Sequence, residues 1–141
     1  MQKMSDAEIK SFLLDQARTG KLATVRADGR PHIAPIWFDL DGDKLIFTTW
    51  HESVKAANLQ REGQAALCVD EETPPFSYII IEGAVTISTE PADLLFWATR
   101  IAGRYMGAEQ AETYGQRNGV AGELLVRLTP SKIIAHKNVA D

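Results

Sequence analysis

Lys21-Leu-Ala-Thr-Val-Arg-Ala-Asp-Gly-Arg-Pro-His-Ile-Ala-Pro-Ile-Trp-Phe-Asp-Leu-Asp-Gly-Asp-Lys-Leu-Ile-Phe-Thr-Thr49 is the stretch on which the architecture turns. Its pattern has a period of two, which suits strands with one face buried. Lys21–Ala27 and Pro31–Leu40 read as strands flanking Asp28-Gly29, a strong hairpin signal. Asp41-Gly42 marks a second tight turn, after which Lys44–Thr49 returns as a third strand. Turns this short join antiparallel neighbours, because parallel strands need a crossover of a dozen residues or more.

Upstream, Ser5-Asp-Ala-Glu8 reads as a capping box. Ile9, Phe12, Leu13 and Ala17 follow at helical spacing, and Gly20 is expected to stop that helix. Downstream, a short helix is expected from about Glu52 to Arg61 and a fourth strand over Gln64–Asp70. Glu71–Pro75 is a polar loop. Phe76–Ser88 forms a long fifth strand whose consecutive Ile79, Ile80 and Ile81 predict burial on both faces. Gly83 within it predicts a bulge or a barrel corner. Glu90-Pro91 opens a helix with Leu94, Leu95, Ala98, Ile101 and Ala102 on one face. Gly107–Gly122 is polar and interrupted by glycine. Glu123–Leu128 is a sixth strand, and Lys132–His136 a short extended tail. Six strands in mostly hairpin order, with helices between them, predict one domain over residues 1–141, a small closed or half-closed antiparallel barrel.

Composition narrows the function classes. Hydrophobic residues make up 45% of the 141 and charged residues 24%, ordinary proportions for a globular chain. A net charge of −4 forces no basic face and argues against nucleic acid. No apolar run approaches the roughly 20 residues of a membrane span. The first residues lack the apolar core of a signal peptide, and a lone Cys68 forms no internal disulfide, so the expected location is the cytoplasm.

The chain's best anion site is Phe47-Thr-Thr-Trp-His-Glu-Ser-Val-Lys-Ala-Ala-Asn-Leu59, since no Gly-rich phosphate loop occurs. There a strand ends in hydroxyl residues and a helix starts with Ser53 and Lys55 in its first turn. Unpaired N–H donors and the helix dipole at such a corner favour a phosphate. Plainer readings stand beside this one. Thr48 and Thr49 are good strand formers, with only one of them able to face a ligand, and Ser53 is a common cap. A solvated lysine is also common, although one in a first turn opposes the dipole. Trp50 reads as packing, whereas Trp37 suits packing or a ligand wall. His51-Glu52 is a tempting acid–base pair, but neighbours seldom face each other. His32 reads as a strand-surface residue and His136 as part of the tail. Three scattered histidines and one cysteine give no metal-ligand spacing. Cys68 is expected as a small buried hydrophobe, and Glu82 in a buried strand is expected to meet an arginine.

Leu22–Phe38 resembles the first hairpin of the pyridoxamine 5′-phosphate oxidase-like split-barrel superfamily. Asp41–Thr49 followed by Ser53-Val-Lys55 and Asn58-Leu59 is similar to its cofactor-phosphate segment. Ala65–Asp70 and Tyr78–Gly83 resemble its next two strands. Arg104-Tyr-Met-Gly107 is similar to the short members associated with the deazaflavin F420. The resemblance spans about residues 8–136 and implies a homodimer with two cofactor sites at the interface. The tricyclic ring would lie near Pro35, Ile36 and Trp37, its phosphate with Thr48, Thr49, Ser53 and Lys55, and Asn58 at the edge of the same groove. True pyridoxamine phosphate oxidases are longer and end in an Arg-Leu-Xaa-Pro segment. Arg127-Leu-Thr-Pro130 is only superficially alike, so their substrate-binding arginines and histidine do not carry over.

The reading is therefore an F420-dependent oxidoreductase acting on a small organic substrate, with FMN as the alternative cofactor and a non-catalytic binding protein as the third. No acid–base side chain stands out, so water is expected to supply the proton. Arg26, Arg30, Arg61 and Arg104 are candidates to meet the acidic tail of F420. Phe76, Tyr78 and Phe96 are candidate dimer-interface aromatics.

Overall fold

The computed structural model describes all residues, Met1–Asp141. Helix α1 (Asp6–Asp15) starts as its capping box dictates: Ser5 Oγ accepts from Glu8 N at 3.2 Å and Glu8 Oε1 from Ser5 N at 2.9 Å. The helix stops short of Gly20, which instead opens strand β2 (Gly20–Val25). A Cβ there would lie 2.7 Å from Leu67 Cδ1, so this glycine packs against a buried side chain and does not act as a cap.

The strand pattern around the hairpins is β2, β3 (Pro31–Ile36), β4 (Asp39–Asp41) and β5 (Lys44–Trp50), with β1 (Gln2–Lys3) before them. The first hairpin closes over three residues, Ala27-Asp28-Gly29, because Arg26 N donates to Arg30 O at 2.9 Å and Gly29 takes φ +88°. In the second, Asp41 pairs with Lys44, making Gly42-Asp43 the turn. Helix α2 (Val54–Glu62), β6 (Gln64–Glu71), β7 (Ser77–Ser88), helix α3 (Pro91–Met106), a 3₁₀ turn (Ala108–Gln110), helix α4 (Ala111–Asn118) and β8 (Glu123–Lys137) complete the chain.

Eight strands replace the expected six. β1 is a two-residue pairing with the end of β8. The expected second strand breaks at Trp37-Phe38 into β3 and β4. The expected sixth strand and tail are one strand, β8, and His136 within it faces Tyr78, with Nδ1 and Oη 3.1 Å apart.

Every pairing is antiparallel, in the order β3-β2-β6-β7-β8-β5-β4. β3 and β4 occupy opposite ends of that order, yet only Trp37 and Phe38 separate them in sequence. Ile36 and Asp39 are three Cα steps apart, at most about 10 Å. The two ends of the sheet must therefore meet, which rolls it into a barrel that is split at this crossover.

Inside, Leu22, Phe38, Leu45, Phe47, Leu67, Val69, Ile79, Ile81, Val126 and Leu128 form the main core. Outside the barrel, α3 covers Ile46 and Leu125 with Leu94 and Trp97. The buried stripe of α3 runs through Leu94, Trp97, Ala98, Ile101 and Ala102, and the expected Leu95 is exposed because it lies roughly 100° around the helix from Leu94. Ile79 and Ile81 face the core and Ile80 is half-buried on the outer face. Glu82 lies on that outer face and is exposed, opposite Lys132 and not an arginine. Gly107–Gly122 is ordered as the 3₁₀ turn and α4. Gly115 lets α4 approach α3, since a Cβ there would lie 2.2 Å from Thr99 Oγ1.

Candidate functional site

The strand-to-helix corner opens onto a cleft of about 350 Å³. Pro35, Ile36 and Trp37 form one wall, where β3 ends at the crossover. Thr48, Thr49 and Trp50, the end of β5, form the next, followed by Ser53 and Lys55 at the start of α2. Ala98 and Ile101 of α3, Asn118 of α4 and Glu123 of β8 close the remainder. Seven of the eight residues singled out in the sequence thus line one cavity. This is within the range of small-molecule sites, toward its lower end.

The period-two strand sends the two threonines to opposite sides. Thr49 turns with Phe47 toward the barrel interior, and its Oγ1 lies 2.9 Å from Ser53 Oγ. Thr48 turns with Ile46 toward α3. Ser53 caps α2 by accepting from Ala56 N at 3.1 Å. The N–H groups of Val54 and Lys55 have no intrahelical acceptor. Lys55 is half-buried and belongs to none of the protein's ion pairs. The corner therefore offers two backbone donors, one ammonium and two hydroxyls without an anion of the protein bound to them.

Asn58 is not on the cleft. It is buried at 3% exposure, donates from Nδ2 to Thr24 Oγ1 at 3.0 Å and accepts at Oδ1 from Arg61 Nη2 at 3.1 Å. One turn beyond Lys55 the helix has rotated this position onto β2. Asn58→Ala is expected to cost about 1–3 kcal/mol of stability, because Thr24 and Arg61 lose a buried partner. Cofactor affinity should change less than twofold, and urea denaturation read beside a ligand titration checks both.

Trp37 stacks on Tyr105 with centroids 5.1 Å apart and planes 4° from parallel. The Tyr105 hydroxyl accepts from Phe38 N at 3.2 Å and donates to Arg18 O at 2.7 Å, and Arg104 Nη1 donates to Phe38 O. Arg104-Tyr105 therefore clamps the crossover that carries Trp37 to the cleft. Burial pushes the Tyr105 hydroxyl pKa up, so it stays a donor. Trp50 is 43% exposed and walls the cleft, which packing alone did not anticipate.

His51 and Glu52 do meet, with Nε2 and Oε1 3.3 Å apart, but both are exposed and neither lines the cleft. His32 is turned to the same side as Thr24, and its Nδ1 is buried without a partner. Burial, then the charges of Arg26 and Lys55, hold its pKa below the usual imidazole value. Cys68 is half-buried on the outer sheet face, where burial raises its thiol pKa. Arg30 pairs with Asp28, Arg61 donates to Val25 O, and Arg104 also donates to Leu13 O and Gln16 O. None of the four candidate arginines lines the cleft. No group of three or more His, Cys, Asp or Glu side chains is placed to hold a metal.

Glu123 was missed. Burial pushes its carboxyl pKa up, against the opposing pull of Lys55 and His51. In sequence it only opens an apolar strand; its pairing opposite Trp50 is what brings it to the cleft. Ala98 and Ile101 read as core residues of α3, and they are also the cleft's apolar side.

The chain matches the family model described as pyridoxamine 5′-phosphate oxidase over residues 5–137. Among solved structures it is similar to the conserved hypothetical protein Rv2991 from Mycobacterium tuberculosis, at 27% identity and TM-score 0.84 over 96% of this chain and 86% of that one. It is similar to an F420 reductase at 26% identity and TM-score 0.71, over 87% and 94% of the two chains. The heme storage protein HutZ from Vibrio cholerae shares the fold, at 20% identity and TM-score 0.74 over 96% and 98%. The match from capping box to last strand and the common split-barrel topology make this chain a member of the pyridoxamine 5′-phosphate oxidase family.

Proposed function

We propose that the chain is an oxidoreductase that holds the deazaflavin F420 in this cleft and passes a hydride between it and a small organic substrate. The observation carrying the proposal is the unpaired Lys55 at a capped helix start, in the same cavity as the apolar Pro35–Trp37 wall. An anionic phosphate suits the first end and a flat ring suits the second. Similarity to an F420 reductase favours the deazaflavin over FMN, whose phosphate would suit the same corner.

When bound, F420 supplies a carbon-centred hydride donor that reacts poorly with oxygen. The protein's part is placement. Ser53, Lys55 and the first N–H groups of α2 hold the phosphate, and Thr49 orients Ser53. Trp37, fixed by Tyr105, sets one wall for the ring. Ala98 and Ile101 keep that end dry.

The reading includes a homodimer. Register puts Val25, Ile33 and Pro35 on the outer sheet face with Ala23, Ala66, Cys68 and Ile80, and Ile33 is 68% exposed. Pro35 belongs both to this face and to the cleft, so a partner seated there would deepen the site. The expected result in light scattering is a dimer at micromolar concentration; a strict monomer counts against it.

Titration of the purified protein tests the cofactor. Quenching or shift of F420 fluorescence with saturation supports the proposal, followed by loss of reduced-F420 absorbance in a screen of electron-poor C=C and C=O compounds. A protein that is purified yellow with flavin and ignores F420 favours the FMN alternative. Binding without turnover of any substrate favours a carrier.

A further inference from the structure

We infer that Glu123 tunes the charge the cleft accepts, shifting its preference from a phosphomonoester toward a phosphodiester. The inference deepens the cofactor reading above and rests on it. Lys55 and Glu123 are the only ionisable side chains lining the cavity. They approach it from different elements, one from the first turn of α2 and the other from the first residue of β8. Glu123 is held by its backbone: it pairs with Trp50 across the strands and donates from its N–H to Val120 O at 3.0 Å. Its carboxylate is in no ion pair with Lys55 or with any other residue.

With both groups ionised, their charges sum to zero, and the start of α2 adds roughly half a positive charge. Such a site matches a ligand group of one negative charge. A phosphodiester, the linkage in F420, carries one. A phosphomonoester, the group in FMN, carries about −1.5 to −2 at pH 7. Coulomb energy is linear in ligand charge, so one fixed carboxylate opposes the monoester nearly twice as strongly as the diester. By the same rule Lys55 and the start of α2 favour the monoester, and Glu123, from the far end of the chain, shifts the preference back toward the diester.

The experiment measures dissociation constants of FMN, F420 and riboflavin for the intact protein and for Glu123→Gln and Glu123→Ala, at pH 8. At that pH the monoester is a dianion. Removing the charge is expected to tighten FMN about tenfold and F420 about threefold, the square root of that factor. Riboflavin, which lacks a phosphate, is expected to change by less than twofold. Both variants should behave alike, and an unchanged urea midpoint establishes that each is folded. Equal tightening of the two cofactors, or weaker binding of either, overturns the role of Glu123 and leaves the cofactor reading intact. Binding of neither cofactor to any of the three proteins overturns the cofactor reading and this inference with it.

Discussion

Lys55→Ala weakens F420 binding by about ten- to a hundredfold, while the urea midpoint of the free protein hardly moves. The magnitude follows from a charge-assisted hydrogen bond, worth roughly 1.5–3 kcal/mol. The split between binding and stability follows from Lys55 having no partner inside the protein. Removing a group that is bound to nothing leaves no donor or acceptor stranded. A lysine in the first turn also opposes the helix dipole, so its loss costs the fold little. Glu123 then remains as the only ionisable group in the cleft; its repulsion acts in both proteins, so the loss measures the attraction of Lys55 alone. Affinity of the intact protein should fall as salt rises, and that of the variant should depend on salt much less. Lys55→Arg should retain part of the affinity by keeping the charge. A loss below twofold in Lys55→Ala, read by fluorescence titration, would place the phosphate elsewhere.

Much of this site was legible because it is local. Thr48 to Lys55 form one strand end and one helix start, so the same eight residues that define the elements also assemble the corner. Pro35, Ile36 and Trp37 were reached through the family resemblance, and they do share the cavity. Asn58 failed for a simple reason: spacing along a helix says that two residues are one turn apart, while the sheet behind it decides which points to solvent. Glu123 and Asn118 were invisible because their approach depends on strand register and on how α4 packs against α3. That packing turns on Gly115 and Thr99, which carry no sequence signal of contact. The strand count erred where the barrel itself makes the change. Trp37-Phe38 reads as the middle of a strand, but the chain must leave one end of the sheet there and join the other. Arg104 and Tyr105 hold it in place from 66 or more residues away.

The bulge at Gly83 leads to the largest expected loss of stability. β7 pairs with β6 on one side and β8 on the other, and along β8 the register slips between Glu82 and Gly83. Glu82 faces Lys132 and Gly83 faces Pro130, so Ser131 is the extra residue, with its hydroxyl donating to Glu82 O at 3.0 Å. Proline has no N–H to give the ladder, and the bulge lets β8 pass this point without breaking. The strands come so close that a Cβ on residue 83 would lie 1.9 Å from Thr129 O, 2.8 Å from Thr129 C and 3.2 Å from Ser131 N. All three are backbone atoms, so no side chain can rotate away to relieve the overlap. Gly83→Ala must therefore shift a strand that is paired on both sides, and it should cost about 3 kcal/mol or more. At roughly 2–4 °C per kcal/mol for a chain of this size, the melting temperature should fall by about 10 °C. Gly42→Ala is the contrasting control: that turn has positive φ, which Gly83 does not, but nothing lies within 4 Å of a Cβ there, so it carries only the conformational cost. If the two variants melt together, close strand contact is not what requires glycine at position 83.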